Sequence, residues 1–169
     1  MSEPVPQASR PYMPGYGILD ADSGTGLLPW SWAAERLTTA RNYFVATARP
    51  DGRPHVMPVW GVWLDGAFYF STGARSRKAR NLDANRRCVV CPERADKAVI
   101  LEGLSQEVTD PSTLGRFKEA YKVKYDWEID TSQGGIYLVR PEVVFAFREM
   151  EDFEGSATRW RFPGQAGQA

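Results

Sequence analysis

Phe68-Tyr69-Phe70-Ser71-Thr72-Gly73-Ala74-Arg75-Ser76-Arg77-Lys78-Ala79-Arg80-Asn81-Leu82 decides the fold reading, because an apolar strand runs through a Gly-marked turn into a cationic helix start. Ser76 is placed to cap that helix, which the pattern predicts over about residues 76–85. A capped helix leaves its first backbone N–H groups free, and Arg77 and Lys78 stand beside them. Dipole, amide donors and side-chain cations then converge on one point, as a phosphate group requires. Residues 75–87 hold six cations (Arg75, Arg77, Lys78, Arg80, Arg86, Arg87) and one anion (Asp83), a local charge of +5 in a chain whose formal net charge is zero. Scattered Arg and Lys usually mark a solvated helix face. Here the cations sit in a capped first turn, where each opposes the dipole by a few tenths to ~1 kcal/mol unless an anion is bound. The missing Gly-Lys-Ser/Thr arrangement excludes a Walker-type phosphate loop.

The flanking sequence is punctuated as strands. Asn42 to Arg49, Pro54 to Trp63 and Ala67 to Ser71 read as three meandering strands, joined by Pro50-Asp51-Gly52-Arg53 and Asp65-Gly66. Cys88–Pro92 and Lys97–Thr109 follow as strands. Asp110-Pro111-Ser112 then opens a helix that buries Leu114, Phe117, Ala120 and Tyr121 and fades near Asp126-Trp127. Ile136–Arg148 and Ala157–Phe162 complete the strands, with an acidic loop, Glu149-Met150-Glu151-Asp152, between them. Upstream, Pro29 to Ala40 carries Trp30, Ala33, Ala34 and Leu37 at helical spacing. Residues 1–28 read as an extended arm on the body or on a partner subunit, burying Tyr12, Met13, Tyr16 and Ile18, and residues 163–169 as a flexible tail. About seven short strands with hairpin connections predict a mostly β fold with peripheral helices, an antiparallel barrel over residues 29–162 rather than a doubly wound parallel sheet. Gly15-Tyr16-Gly17 lies in the arm with no strand before it, so a dinucleotide fingerprint is absent.

At 169 residues the chain suits one domain, short for a large enclosed cavity, so a sizeable cofactor would call for a second subunit to cover it. Hydrophobic content of 43% and charged content of 25% are those of an ordinary globular protein. No run of eighteen apolar residues argues for a membrane span. Pro4, Pro6, Ser9, Arg10 and Pro11 replace any secretory apolar region, so the expected location is cytoplasmic. Zero net charge, and cations not interleaved with aromatics, argue against a nucleic-acid partner. Cys88 and Cys91, the only cysteines, lie in a strand-like run where residues three apart face opposite ways, and no second ligand pair exists. They read as small interior hydrophobes, and no metal site is expected.

His55 is the sole histidine, which leaves little room for a Ser/His/Asp triad or a multi-histidine metal centre. It reads as a half-exposed strand residue. Met57-Pro58-Val59-Trp60 offers more, since prolines at 54 and 58 cannot donate to a ladder and mark an irregular or edge strand. Unpaired backbone groups beside an aromatic suit a planar heteroaromatic ligand, although Met57, Val59 and Trp60 as plain core would leave the same pattern. Their place one hairpin from Ser76-Arg77-Lys78 sets a ring binder next to an anion binder.

Together Pro50-Asp51-Gly52-Arg53-Pro54, Asp65-Gly66, Phe68-Tyr69-Phe70-Ser71-Thr72-Gly73, Ser76-Arg77-Lys78-Ala79-Arg80-Asn81-Leu82 and Asn85-Arg86-Arg87-Cys88-Val89-Val90 give a sequence that resembles the pyridoxamine 5'-phosphate oxidase-like split β-barrel family. Within it the chain looks most like the B-type flavin/deazaflavin oxidoreductases of actinobacteria, which use coenzyme F420. The resemblance covers about residues 30–148, with Ala157–Phe162 a family-like ending. It implies a homodimer with the cofactor in a groove between subunits. The family's phosphate contacts fall on Arg77 and Lys78, with Ser71, Thr72 and Ser76 nearby, and its ring-binding strand on Met57, Pro58, Val59 and Trp60. Met57 stands where flavin-mononucleotide (FMN) oxidases of the family carry an Arg, and a flavin-contacting Gln corresponds to about Ala98, beside Lys97. These departures turn the expectation from FMN and pyridoxamine oxidation toward F420, with FMN as the alternative cofactor and a non-catalytic cofactor-binding protein as the alternative class. A deazaflavin is an obligate hydride carrier, so the implied reaction passes a hydride to or from a small unsaturated or quinone-like molecule and requires no protein nucleophile. A proton could come from solvent, His55 or Tyr69.

Overall fold

A computed structural model describes residues 5–132 and 134–163. Nine strands and four helices follow one another as β1 (Gln7–Ser9), α1 (Trp30–Thr39), β2 (Tyr43–Ala48), β3 (Pro54–Val59), β4 (Gly61–Leu64), β5 (Ala67–Gly73), α2 (Arg77–Ala84), β6 (Arg87–Pro92), β7 (Lys97–Glu107), α3 (Pro111–Tyr125), β8 (Gly134–Arg148), α4 (Glu149–Ser156) and β9 (Thr158–Arg161). All pairings are antiparallel, in the order β1-β9-β8-β7-β6-β2-β3, with β5 branching from β8 and carrying β4. The ladders do not close: β3 bonds to β2 and β4 to β5, and only the chain at Trp60 joins them.

The apolar run Ala67-Phe68-Tyr69-Phe70 is buried on both faces because two cores share it. Phe68 and Phe70 point into the barrel with Tyr43, Val45, Val90, Leu101, Val139 and Trp160, whereas Ala67 and Tyr69 pack under α3 with Phe117, Tyr121 and Leu138. Trp30 at the start of α1 plugs one barrel end, meeting Trp63, Trp160 and Phe162 edge-on at 6.1, 5.4 and 5.1 Å. Asp110 caps α3, accepting the Thr113 N–H at 2.8 Å, and Asp126 ends it in the left-handed region. Between β7 and β8 the register shifts at Glu102/Gly103, where a Cβ on Gly103 would lie 2.2 Å from the Arg140 carbonyl oxygen.

Several expectations are corrected. The segment expected as one strand from Pro54 to Trp63 is two, because Trp60 turns to α3 and the halves pair with different neighbours. The three strands are therefore not a meander: β2 lies between β3 and β6. The acidic loop is the kinked helix α4, with Asp152 extended at its kink and accepting bonds from Thr25 and the Gly155 N–H. The arm lies on its own body through β1, which pairs with β9, and Arg10 donates to the carbonyls of Gly155 and Ala157. Its burial falls on Pro6, Pro11 and Leu28, with Met13 and Ile18 half-buried, whereas Tyr12 and Tyr16 stay 87% and 60% exposed. Residues 1–4 of the arm and 164–169 of the expected tail lie outside the described residues.

Candidate functional site

The turn before β3 forms because Pro50 and Gly52 fit it. Gly52 adopts φ +82°, the Arg49 N–H bonds to the Arg53 carbonyl at 2.9 Å, and Arg53 Nε bonds to Asp51 Oδ2 at the same distance. That guanidinium holds the Asp51 carboxyl below the usual range. Beyond the turn, β3 pairs with β2 alone among the described residues, so its other side is an open edge. Register sets His55, Met57 and Val59 opposite Thr47, Val45 and Tyr43, on the face that looks into the barrel. Val56 and Pro58 face the other way, opposite Ala46 and Phe44. Val56 and Phe44 are 56% and 45% exposed on that outer face and Met57 47% exposed on the inner one, apolar exposure unusual for a finished sheet.

Helix α2 starts as the sequence predicts. Ser76 Oγ accepts the Ala79 N–H at 3.0 Å and lies 3.0 Å from Thr72 Oγ1. The amides of Arg77 and Lys78 therefore have no helical acceptor. Ala79 and Leu82 bury the inner side of the helix, and Asn81 Nδ2 donates to Thr47 Oγ1 at 2.9 Å, fastening α2 to β2 directly opposite His55. Lys78 is only 7% exposed and makes no hydrogen bond or ion pair among the described residues, so burial pushes its pKa down. Arg80, then burial, then Arg49 and Arg53 depress Arg77 in the same direction. Three buried side-chain atoms without a partner belong to this neighbourhood: Arg49 Nε, His55 Nδ1 and Asn81 Oδ1. Cations, free helix amides and buried polar groups without a partner thus lie together at the start of α2.

The structure brings Thr72, Ser76, Arg77 and Lys78 together at the start of α2. His55 stands beside them, and Met57 follows it by roughly 7 Å of strand. Ser71 alternates to the opposite face of β5 from Thr72. Trp60 stacks on Tyr125 at 4.6 Å, with Arg41 above it, and so belongs to the second core. Tyr69 is buried beneath α3 against Phe117 and is removed from the groove as a proton source. Gly61 must be glycine, since a Cβ would meet the Phe68 ring at 2.3 Å. Arg49, Asn81 and Thr47 were not read from sequence as site residues. Only the register of β2 against β3 could have shown Thr47 and His55 together. Cys88 is buried and Cys91 half-buried, with both thiol pKa values raised by burial. Among the described residues no helix is long and apolar enough to cross a membrane, and no group of three or more His, Cys, Asp or Glu lies together.

A split antiparallel barrel with a cationic helix start beside an open strand edge defines a recognisable class. The family model for pyridoxamine 5'-phosphate oxidase matches residues 33–148, and the chain belongs to that family. No curated protein matches the chain by sequence. Among solved structures, a conserved hypothetical protein from Mycobacterium tuberculosis is 23% identical with a TM-score of 0.62, over 69% of this chain and 82% of that one. An F420 reductase is 28% identical with a TM-score of 0.54, over 65% of this chain and 94% of that one. A heme binding protein from Mycobacterium smegmatis is 18% identical with a TM-score of 0.61, over 73% of this chain and 56% of that one. At their identities the first and third likenesses speak for the fold alone.

Proposed function

We propose that this protein is a coenzyme F420-dependent oxidoreductase that works as a homodimer on a small unsaturated or quinone-like molecule. The observation that carries the reading is the buried Lys78, without a partner among the described residues, beside Arg77 at the start of α2, set against an open apolar strand edge. The 28% identity to an F420 reductase supports the choice of cofactor. The residues fit such a group: Lys78, Arg77 and the first amides of α2 hold a phosphate, and Ser76 and Thr72 keep the turn rigid. The open edge of β3 supplies backbone donors and acceptors for the polar rim of a flat ring, and Met57 covers one face without adding a charge. When bound, the deazaflavin supplies the hydride chemistry. The protein holds the ring, orients the acceptor and excludes water. A second subunit packed along the open edge of β3, over Met57 on one face and Val56 and Phe44 on the other, would cover the site from the other side.

Titrating cofactor-free protein with F420 and with FMN tests the reading. F420 should bind at micromolar concentration and more tightly than FMN, and the Arg77→Ala/Lys78→Ala double variant should lose that binding while its circular dichroism stays that of the folded barrel. Turnover of reduced F420 with a quinone panel separates an enzyme from a carrier. Tighter binding of FMN would move the assignment to the flavin-dependent branch, and failure of both cofactors to bind would overturn it.

A further inference from the structure

The cofactor reading leaves one observation unused, namely that the sole histidine sits inside the cationic cluster with Nδ1 buried and unpartnered. We propose that His55 takes up a proton when the anion binds, so that the imidazolium becomes a further donor of the phosphate grip. This inference rests on the reading of that cluster as a cofactor's phosphate site.

The geometry behind it is local. His55 pairs in register with Thr47, and Thr47 accepts the bond that ties Asn81, and with it α2, to β2. Arg77 and Lys78, about one turn before Asn81 on α2, thus lie near the same part of the barrel as the imidazole. The charged groups facing the ring are Arg49, at the end of β2, and Arg77 and Lys78 of α2. Asp51, on the adjoining turn, is already committed to Arg53. Burial first, and then the three cations, lower the pKa of His55 in the free protein. Both effects favour the neutral imidazole, and its Nδ1 has no partner among the described residues. A dianion entering the cluster cancels those charges, which removes the reason for the ring to stay neutral. A proton from solvent then settles on the ring, and its N–H groups are both donors. His55 is a binding and proton-coupling residue in this scheme and takes no part in hydride transfer.

Because the chain has one histidine, its Cε1–H resonance is assigned without ambiguity and can be titrated in the intact protein. Sulfate is a suitable first probe, being a dianion that does not itself titrate between pH 5 and 9; chloride at matched ionic strength is the control. The midpoint in the free protein should lie below the ordinary value of 6.5, and saturating sulfate, F420 or FMN should raise it by about one pH unit or more. F420 affinity should weaken as pH rises between the two midpoints, by up to about tenfold per pH unit. His55→Gln should abolish that slope. Binding detected by cofactor fluorescence with an unmoved His55 midpoint overturns the coupling and leaves the cofactor assignment standing. A midpoint moved by sulfate with no binding of F420 or FMN does the reverse. No binding of any of the three overturns both.

Discussion

Replacing Lys78 by Met should change stability and binding in opposite directions. Lys78 is the second residue of α2, where a positive charge opposes the helix dipole by about 0.3–1 kcal/mol. Its side chain is 7% exposed and has no partner, so desolvation adds to that cost. Met keeps an unbranched stem and needs no partner. Together these effects predict a cofactor-free variant more stable by roughly 1 kcal/mol, or about 2–4 °C in Tm for a chain of this size. The gain should be largest at neutral pH, where Lys78 is charged. It should shrink as pH rises through the depressed folded-state pKa toward the unfolded value of 10.5, because there the native state holds fewer protons. Loss of one charge-assisted hydrogen bond to the phosphate, about 1.5–3 kcal/mol, should raise Kd roughly 10- to 150-fold. Urea unfolding of the free protein and fluorescence titration with F420 measure the two quantities. A variant less stable than the parent with unchanged Kd would refute the reasoning, because Lys78 would then be a structural cation.

Lys124 shows the contrasting case of a half-buried lysine with partners, as its ammonium donates to the Thr38 carbonyl, the Tyr43 hydroxyl and the Gly61 carbonyl at 3.1, 2.7 and 3.0 Å. Lys124→Met should destabilise the fold by about 1–3 kcal/mol in urea unfolding. Burial holds this lysine at about 8, so the parent should gain stability relative to the variant as pH rises from 8 to 10.5, and a pH-independent difference would contradict that. Asp110, with its carboxyl held at about 2 by bonds from Ser112 and Thr113, should stabilise the protein above pH 3.8 and lose that effect as pH falls toward 2. Asp110→Ala should accordingly lower the thermal midpoint at neutral pH, with the parent and variant converging in acid.

Three of the four described helices and most strands were legible because their signals are local. Ser76 and Asp110 cap as their positions require, and the double-sided burial of β5 is visible in its unbroken apolar run. Trp60 was harder. Its partner ring on Tyr125 is 65 positions away in a helix, and no local pattern distinguishes an aromatic that continues a strand from one that turns out of it. The acidic run 149–152 looked like a loop because its order depends on distant groups, Thr25 on Asp152 and the Asp96 carbonyl on Glu149. In the site, Arg77 and Lys78 were readable from charge against the dipole. Arg49 became apparent, and His55 joined the cationic cluster, only when strand register placed two segments side by side.

The position of β5 as a common wall has a consequence for how the molecule comes apart. Phe68 and Phe70 serve the barrel while Ala67 and Tyr69 serve the helix side, so neither hydrophobic unit can open without stripping one face of the other's boundary. Cooperativity is therefore built into four consecutive residues. Trp60 on one side and Trp30, Trp63 and Trp160 on the other are native optical reporters of the two halves, and the shared wall makes them register a single melting event rather than two.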